Sequence, residues 1–153
     1  MVKSIIINLT MLLALSSCAL NNQKMTNLEI IKSTYEGKTS EDNGRNLAKY
    51  VAENISWTEA KGFPYAGTYI GLESVTKNVF SRLGSEWIDY KFTPEDYISN
   101  NDNVVAYGTY TGTYKLTGKA FSARVAHVWR LKDGKIISFE QFVDSKTVDE
   151  ATR

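Results

Sequence analysis

The chain has 153 residues, with 18 Lys and Arg against 17 Asp and Glu, one His and one Cys. This near-neutral charge lacks the basic face that nucleic-acid binding requires, so we expect no nucleic-acid partner. A single His and a single Cys do not form the usual zinc ligand sets, and neither a nucleotide-binding glycine motif nor a serine-hydrolase elbow occurs. We therefore predict no metal site and no cofactor.

The first residues have the proportions of a secretory signal peptide. Lys3 precedes an apolar run, residues 5–15, which is too short for a spanning helix because such a helix needs about 20 apolar residues. The run ends in Leu-Ser-Ser-Cys at residues 15–18, which resembles the lipobox of bacterial lipoproteins. The alternative is an ordinary cleaved signal with a chance Cys.

The lipobox resemblance implies both processing and an address. In that family a signal peptidase removes the leader, here residues 1–17, and the new N-terminal Cys, here Cys18, carries the lipid. Several acyl chains give stable anchoring, whereas a single chain binds a membrane only marginally. Residues 18–25 then form a tether, and Ala19 after the Cys implies the outer membrane in a Gram-negative cell. We expect a protein of the cell envelope that is anchored to the membrane through its lipid.

The residues after the tether predict two helices, a strand and a third helix. Thr26 and Glu29 form a capping box at the start of the first helix, and Ser40 opens the second. Residues 54–60 alternate as a short strand, a loop rich in Gly, Pro and Tyr follows, and residues 73–83 have helical spacing.

From Trp87 onward the pattern is that of strands, with an interruption at Pro94. Asp133-Gly134 is a strong hairpin signal between the last two strands. The four predicted strands are 87–99, 104–114, 121–131 and 136–143. This order of elements predicts an α+β fold with a curled antiparallel sheet. We assign residues 26–145 to one domain and residues 146–153 to a C-terminal tail.

Two segments of the chain resemble a known family. The sequence AHVWRLKDGKIISFEQFVD, residues 126–144, resembles the C-terminal hairpin of SnoaL-like proteins, and GFPYAGTYIGLESVTKNVFSRL, residues 62–83, resembles their pocket mouth and third helix. The resemblance extends to the NTF2-like, or cystatin-like, superfamily, which includes ketosteroid isomerase and the SnoaL polyketide cyclases. It implies a cone in which a curved antiparallel sheet wraps on about three helices around a pocket. Such folds often dimerise through the outer sheet face, so a homodimer is expected.

The geometry of the predicted hairpin brings chemical groups together. If Asp133-Gly134 is a two-residue turn, His127 lies directly opposite Glu140, with Asp144 farther along the same face and Phe139 on the other face. Directly opposite side chains have Cβ atoms roughly 4.5–5.5 Å apart. A His beside a carboxylate is a workable acid–base pair near neutral pH. A satisfied polar pair without chemistry is the alternative.

The family resemblance implies roles for these residues. In ketosteroid isomerases a protonated acid on this strand donates a hydrogen bond to the developing enolate, and in SnoaL cyclases an acid acts as base beside a His. Carried over to this chain, His127 takes the donor or partner position, and either Asp144 or Glu140 takes that of the base. The aromatic residues predicted to form the pocket wall, or else the core, are Trp57, Tyr65, Tyr69, Tyr107 and Trp129.

Two functions are compatible with these patterns. The first is cofactor-free proton transfer on a small, largely apolar carbonyl compound, in the manner of an isomerase or cyclase. The second is a non-catalytic pocket for an apolar ligand, or an interaction module of the cell envelope. An inward-pointing carboxylate near His127 favours the first, and its absence favours the second.

Overall fold

A computed structural model describes residues 25–153 of the chain. The predicted signal peptide (residues 1–17), the predicted lipidation site Cys18 and the tether up to residue 24 lie outside the described residues. Among residues 25–153, no helix is long and apolar enough to cross a membrane.

The described residues form short helices that begin at defined caps. At the first helix, the Thr26 hydroxyl accepts the Glu29 backbone N–H, and the Glu29 carboxylate accepts the Thr26 backbone N–H, so the predicted capping box is confirmed. A second capping box joins Thr39 and Asp42. A π-helical turn (Thr76–Phe80) connects two of the helices without a break. The helices are α1 (Asn27–Ser33), α2 (Ser40–Tyr50), α3 (Leu72–Val75), α4 (Ser81–Glu86) and α5 (Ser145–Ala151).

Six strands form one curved sheet, in the spatial order β2-β1-β6-β5-β4-β3. Their bounds are β1 (Val51–Glu59), β2 (Gly67–Ile70), β3 (Trp87–Asn100), β4 (Asn103–Tyr114), β5 (Ala120–Lys132) and β6 (Lys135–Val143). The α+β class is confirmed. The sheet is mixed rather than wholly antiparallel, however, because β1 pairs with β6 in the parallel direction. Local turn signals in the sequence predict only hairpins between consecutive strands. The parallel pairing of β1 with β6 joins strands that are far apart in the chain, so these signals do not predict it.

The last residues of the chain are part of the fold. Asp144 caps α5, and the helix packs against β5 with Val148 and Ala151 buried. The segment that the sequence predicts to be a tail, residues 146–153, therefore contains a helix that belongs to the core.

The core lies between the sheet and the helices. Along β5 the residues 121, 123, 125, 127, 129 and 131 are all buried, whereas the alternate residues face the opposite side and are wholly or partly exposed. Helix α1 contacts β3 and β4, and α3 contacts β1 and β2. We call the side covered by these helices the inner face and the other side the outer face.

The register of the β5–β6 hairpin differs from the prediction by one residue. Lys132 pairs with Lys135 around the predicted turn, but beyond Leu131 a bulge intervenes and Ile137 has no partner. At this bulge, two residues of β6 lie opposite one residue of β5. Each later residue of β6 therefore lies on the face opposite to the one that the sequence predicts. His127 consequently pairs with Gln141, and the predicted pairing of His127 with Glu140 is wrong.

Candidate functional site

The inner face encloses a cavity of about 370 Å³ beneath helices α2 and α4 and the turn that follows α1. This volume lies in the range of small-molecule sites, about 300–1,000 Å³. Most of its wall is apolar, and Trp57 and Trp129 lie in it as the sequence predicts. The floor includes a stack of Trp57 on Phe139, with ring centroids 3.8 Å apart. Tyrosines and six further polar residues complete the wall, and these six are Thr34, Ser40, Asn43, Glu59, His127 and Gln141.

His127 lies at the cavity between two tyrosine hydroxyls. Its Nδ1 is 2.6 Å from the Tyr35 hydroxyl and its Nε2 is 2.5 Å from the Tyr110 hydroxyl. The side chain is buried, and this desolvation lowers the pKa of His127 to about 3. The imidazole is therefore neutral near pH 7, with one nitrogen carrying a proton and the other accepting a hydrogen bond.

Two further donors fix the tyrosine oxygens. The Trp129 indole N–H donates to the Tyr35 hydroxyl at 2.9 Å, and the Gln141 amide donates to the Tyr110 hydroxyl at 3.3 Å. The Gln141 carbonyl oxygen is itself held by the backbone N–H of Ala60 at 3.2 Å. We call Tyr35, His127 and Tyr110, with Trp129 and Gln141 as outer donors, the tyrosine–histidine network.

One tyrosine hydroxyl proton of this network has no acceptor within the network. If Nδ1 of His127 carries the proton, it donates to Tyr35, and the Tyr35 hydroxyl proton is free for another acceptor. If Nε2 carries it, the free proton is that of Tyr110 instead. In either tautomer the network offers a single hydroxyl donor, backed by a fixed chain of hydrogen bonds.

Glu59 supplies the carboxyl group of the cavity. It lies two residues after Trp57 on β1, so both side chains face inward, and only 4% of Glu59 is exposed. One carboxyl oxygen, Oε1, accepts the Trp57 indole N–H at 2.7 Å, whereas Oε2 is buried without a hydrogen-bond partner among residues 25–153. Burial raises the pKa of Glu59 to about 7, against the smaller opposing effect of the Trp57 hydrogen bond.

The two acids predicted to serve as base lie away from this cavity. Glu140 is exposed on the outer face, opposite Val128. Asp144 is the exposed cap of α5, where its carboxylate accepts the Thr147 backbone N–H and hydroxyl. These bonds lower the pKa of Asp144. The prediction that Glu140 or Asp144 accompanies His127 is wrong, because the bulge turns one outward and β6 ends before the other.

Three of the predicted wall residues lie elsewhere. Tyr65 is buried beside the cavity region, where it donates to Glu86 and accepts the Trp87 indole N–H. Tyr69 donates to the backbone oxygen of Tyr65. Tyr107 lies on the outer face of β4, with its hydroxyl 3.5 Å from Asp96. None of these three tyrosines lines the cavity.

Sequence reasoning missed Glu59, Tyr35, Tyr110 and Gln141. A signal for Glu59 exists, since the alternation that puts Trp57 inward on β1 also puts Glu59 inward. The other three come from the turn after α1, from β4 and from β6, and their meeting at His127 follows from the sheet order and the packing of α1 on the sheet rather than from spacing in the chain.

Comparison with known protein families shows the family to which this cavity-bearing domain belongs. The family model of the SnoaL-like domain matches residues 34–139. The chain belongs to the SnoaL-like family. The match runs from the residue before Tyr35 into the middle of β6, so it includes both Glu59 and His127.

Solved structures place the SnoaL-like chain among NTF2-like proteins. An NTF2-like protein of Burkholderia thailandensis E264 is 41% identical, with 85% of this chain and 99% of that chain covered and a TM-score of 0.80. A protein of Mesorhizobium loti named as a SnoaL-like polyketide cyclase is 25% identical over 77% and 99%, with a TM-score of 0.63. A protein of ketosteroid isomerase-like fold from Catenulispora acidiphila DSM 44928 is 17% identical over 83% and 93%, with a TM-score of 0.65. No curated protein matches the chain at a significant level.

Proposed function

We propose that this SnoaL-like protein catalyses proton transfer at the carbon next to the carbonyl of a small, largely apolar compound. Glu59 is the base, and the tyrosine–histidine network donates the hydrogen bond to the carbonyl oxygen. The observation that carries the proposal is the buried carboxyl of Glu59, with an unpartnered oxygen and a pKa of about 7, in the same cavity as a neutral His127. Perturbed titratable groups in an apolar cavity are typical of catalytic sites.

The proposed reaction needs only groups of this cavity. The ionised Glu59 takes a proton from the carbon next to the carbonyl, so a C–H bond breaks and an O–H bond forms on Glu59. The electron pair moves onto the carbonyl oxygen, and the resulting enolate accepts the free hydroxyl proton of Tyr35 or Tyr110 as a hydrogen bond. In a β,γ-unsaturated ketone, return of the proton from Glu59 to the γ-carbon moves the double bond into conjugation with the carbonyl and completes an isomerisation. A base with a pKa near the working pH is efficient in such a step.

His127 supports the donor rather than acting as an acid itself. With a pKa of about 3 it does not carry a positive charge near pH 7. Its two ring nitrogens connect Tyr35 and Tyr110, and they hold each hydroxyl at the cavity wall. A preorganised donor that needs no rearrangement is the arrangement that favours a developing oxyanion.

Deuterium exchange into a ketone tests this function. We expect the wild-type chain to accelerate exchange at the carbons next to the carbonyl of 2-tetralone, followed by NMR, and Glu59→Gln to lower the rate at least about 100-fold. Glu140→Gln is the matched control, because Glu140 lies on the adjacent strand but on the outer face. Exchange by Glu59→Gln at the wild-type rate would remove Glu59 from the role of base.

A ligand-binding pocket without turnover is the second candidate. It is favoured by the fact that His127, Tyr35 and Tyr110 satisfy one another within the wall. One neighbour of this fold was crystallised in complex with trimethylamine, and another, TerC, at 21% identity, was co-crystallised with polyporic acid. If wild-type protein binds 2-tetralone without accelerating exchange, the binding function replaces the catalytic one.

We propose that the domain is held at a membrane of the cell envelope through lipid on Cys18. Residues 18–25 would span at most about 29 Å between the lipid and the capping box of α1 at Thr26. Cys18→Ala should move the protein from the membrane fraction to the soluble fraction of the cell envelope. A Cys18→Ala variant that stays with membranes would contradict lipidation.

We propose further that two copies associate through the outer face. Ile98 is 62% exposed and Phe142 54% exposed there, and the partly buried Val105 and Val128 lie between them. Exposed apolar patches of this kind often mark interfaces. Phe142→Lys should convert a dimer to a monomer in sedimentation, and Leu116→Lys, in the exposed β4–β5 turn, should not. A wild-type monomer at all concentrations would refute this association.

A further inference from the structure

Tyr90 carries a second unpartnered polar atom beside the cavity. Its side chain lines the cavity and also borders two grooves at the surface, so the ring is partly exposed. Its hydroxyl oxygen, in contrast, is buried and has no hydrogen-bond partner among residues 25–153. A buried hydroxyl without a partner costs free energy, so its retention calls for an explanation.

The backbone around Tyr90 departs from regular strand geometry, and this irregularity sets the direction of the Tyr90 side chain. Asp89, just before it, has a positive φ of 52°, a conformation that is uncommon for residues other than Gly. The pairing of β3 with β4 shifts register between Ile88 and Lys91, which marks a bulge. Bulges re-aim individual side chains and occur often beside active sites.

The facing strand leaves room for Tyr90 in this position. Gly112 on β4 is buried, and a Cβ atom there would lie 3.3 Å from Cα and 3.4 Å from Cδ2 of Tyr90. It would also lie 3.1 Å from the Phe121 ring. These distances are tighter than most contacts of real Cβ atoms, so the missing side chain at Gly112 accommodates the Tyr90 ring.

The neighbours of the Tyr90 hydroxyl determine what it can bind. The ring of Tyr110 lies 5.1 Å away between centroids, but the Tyr110 hydroxyl contacts His127 and Gln141 and forms no hydrogen bond with the Tyr90 hydroxyl. Burial raises the pKa of Tyr90 well above its ordinary value, and the proximity of Tyr110 and Glu59 adds to this. The hydroxyl is therefore protonated and available as a donor.

We infer that Tyr90 is a specificity-determining residue, whose hydroxyl binds a second oxygen of the same ligand. This inference rests on the proposed function, in which the first oxygen is the one that accepts a hydrogen bond from the tyrosine–histidine network. The second oxygen is neutral, a carbonyl or a hydroxyl, because a second carboxylate would be repelled by ionised Glu59. The substrate class is thus a largely apolar compound with two separated oxygen functions.

Binding of naphthols to the full chain tests this inference. The probes are 2-naphthol, which has one oxygen, and the isomers of dihydroxynaphthalene, which place a second oxygen at different positions on the same ring system. Calorimetric titration should show at least one diol that binds the wild type about 10-fold more tightly than 2-naphthol, as one well-placed hydrogen bond allows. Tyr90→Phe should remove most of this gain and leave 2-naphthol binding unchanged.

Tyr97→Phe is the matched control. Tyr97 lies on the same strand, and its hydroxyl is also buried without a partner, but it does not line the cavity. Tyr97→Phe should keep the full diol gain. Thermal unfolding of free Tyr90→Phe should match or exceed the wild type, since the change removes an unpartnered group. A diol gain that persists in Tyr90→Phe, the absence of any gain in the wild type, or an equal weakening of all probes would each overturn the inference.

The same preparations separate this inference from the proposed function. Glu59→Gln in the 2-tetralone exchange assay tests the base, and Tyr90→Phe in the naphthol titration tests the second oxygen site. A pairing of Tyr90 with Glu59 instead of with ligand would change the pH dependence of exchange in Tyr90→Phe without changing diol preference. That result would overturn the role of Tyr90 and leave the role of Glu59 standing.

Discussion

Two glutamates on neighbouring strands differ in the sheet face that they occupy and in their burial. Glu59 of β1 faces inward, is 4% exposed and has a pKa raised to about 7 by burial. Glu140 of β6 pairs with Thr58, the residue just before Glu59, and is exposed on the outer face. One residue of register thus separates a candidate base from a surface charge. The comparison shows that an acid near a His in the sequence pattern indicates a catalytic base only when the sheet face of that acid is known.

Inserting one Ala between Ser138 and Phe139 would exchange the faces of the rest of β6 and has the largest expected effect on stability. The insertion would place Glu140 in the core opposite His127, and Phe139 would leave the core. We expect a loss of about 4 kcal/mol or more in the free energy of unfolding, measured with urea, from the lost Phe burial and the buried charge.

The control for this insertion is Ile137→Ala, which keeps the length and the register of β6. Ile137 is only partly buried, so the loss should be about 1 kcal/mol. An insertion variant as stable as Ile137→Ala would show that the register of β6 does not determine which glutamate is inside.

The pH dependence of the free energy of unfolding tests the burial of Glu59. The pKa of Glu59 is raised in the folded state, so its contribution to stability is present below about pH 4.5 and is lost as the pH rises through about 7. Replacement by Gln removes this loss. Relative to the wild type, Glu59→Gln should therefore gain about 3 kcal/mol in unfolding free energy between pH 4.5 and pH 8. Glu140→Gln serves as the control on the outer face.

His127 produces the opposite slope in both proteins. Its folded-state pKa is lowered to about 3, so the stability it contributes is present above about pH 6.5 and is lost as the pH falls toward 3. Because this slope is common to the wild type and Glu59→Gln, it cancels in their difference. A difference between the two proteins that stays constant with pH would mean that Glu59 is not perturbed by burial.

Removing a hydroxyl of the network has a smaller effect. Tyr35→Phe leaves both the Trp129 indole N–H and Nδ1 of His127 without a partner, which should cost about 2 kcal/mol of unfolding free energy. Tyr107→Phe, on the outer face, should cost almost nothing. Urea unfolding that shows equal losses for the two variants would contradict a coupled network.

The sequence predicts the fold well where signals are local. The capping box at Thr26, the turn at Asp133-Gly134 and the alternation along β5 each depend on a few adjacent residues, and each is found in the structure. The family resemblance in the hairpin and in residues 62–83 predicts the SnoaL-like domain, which the family match over residues 34–139 confirms.

The site is less accessible from the sequence, for two physical reasons. Ile136 and Ile137 are equally suited to a strand, so nothing in the chain marks Ile137 as the extra residue of the bulge. Tyr35 and Tyr110 reach His127 from the turn after α1 and from β4, and these contacts arise only when the sheet curves beneath the helix. Glu59 is the exception, since strand alternation from Trp57 already places it inward.

A carboxyl titration of Glu59 tests the central claim most directly. Carbon-13 NMR of the side-chain carboxyl, assigned by comparison with Glu59→Gln, should give a midpoint near pH 7, because the group is buried and only one of its oxygens has a partner. A midpoint near 4.5, the ordinary value for a glutamate, would mean that water reaches this carboxyl freely and that the cavity holds no base of the proposed kind.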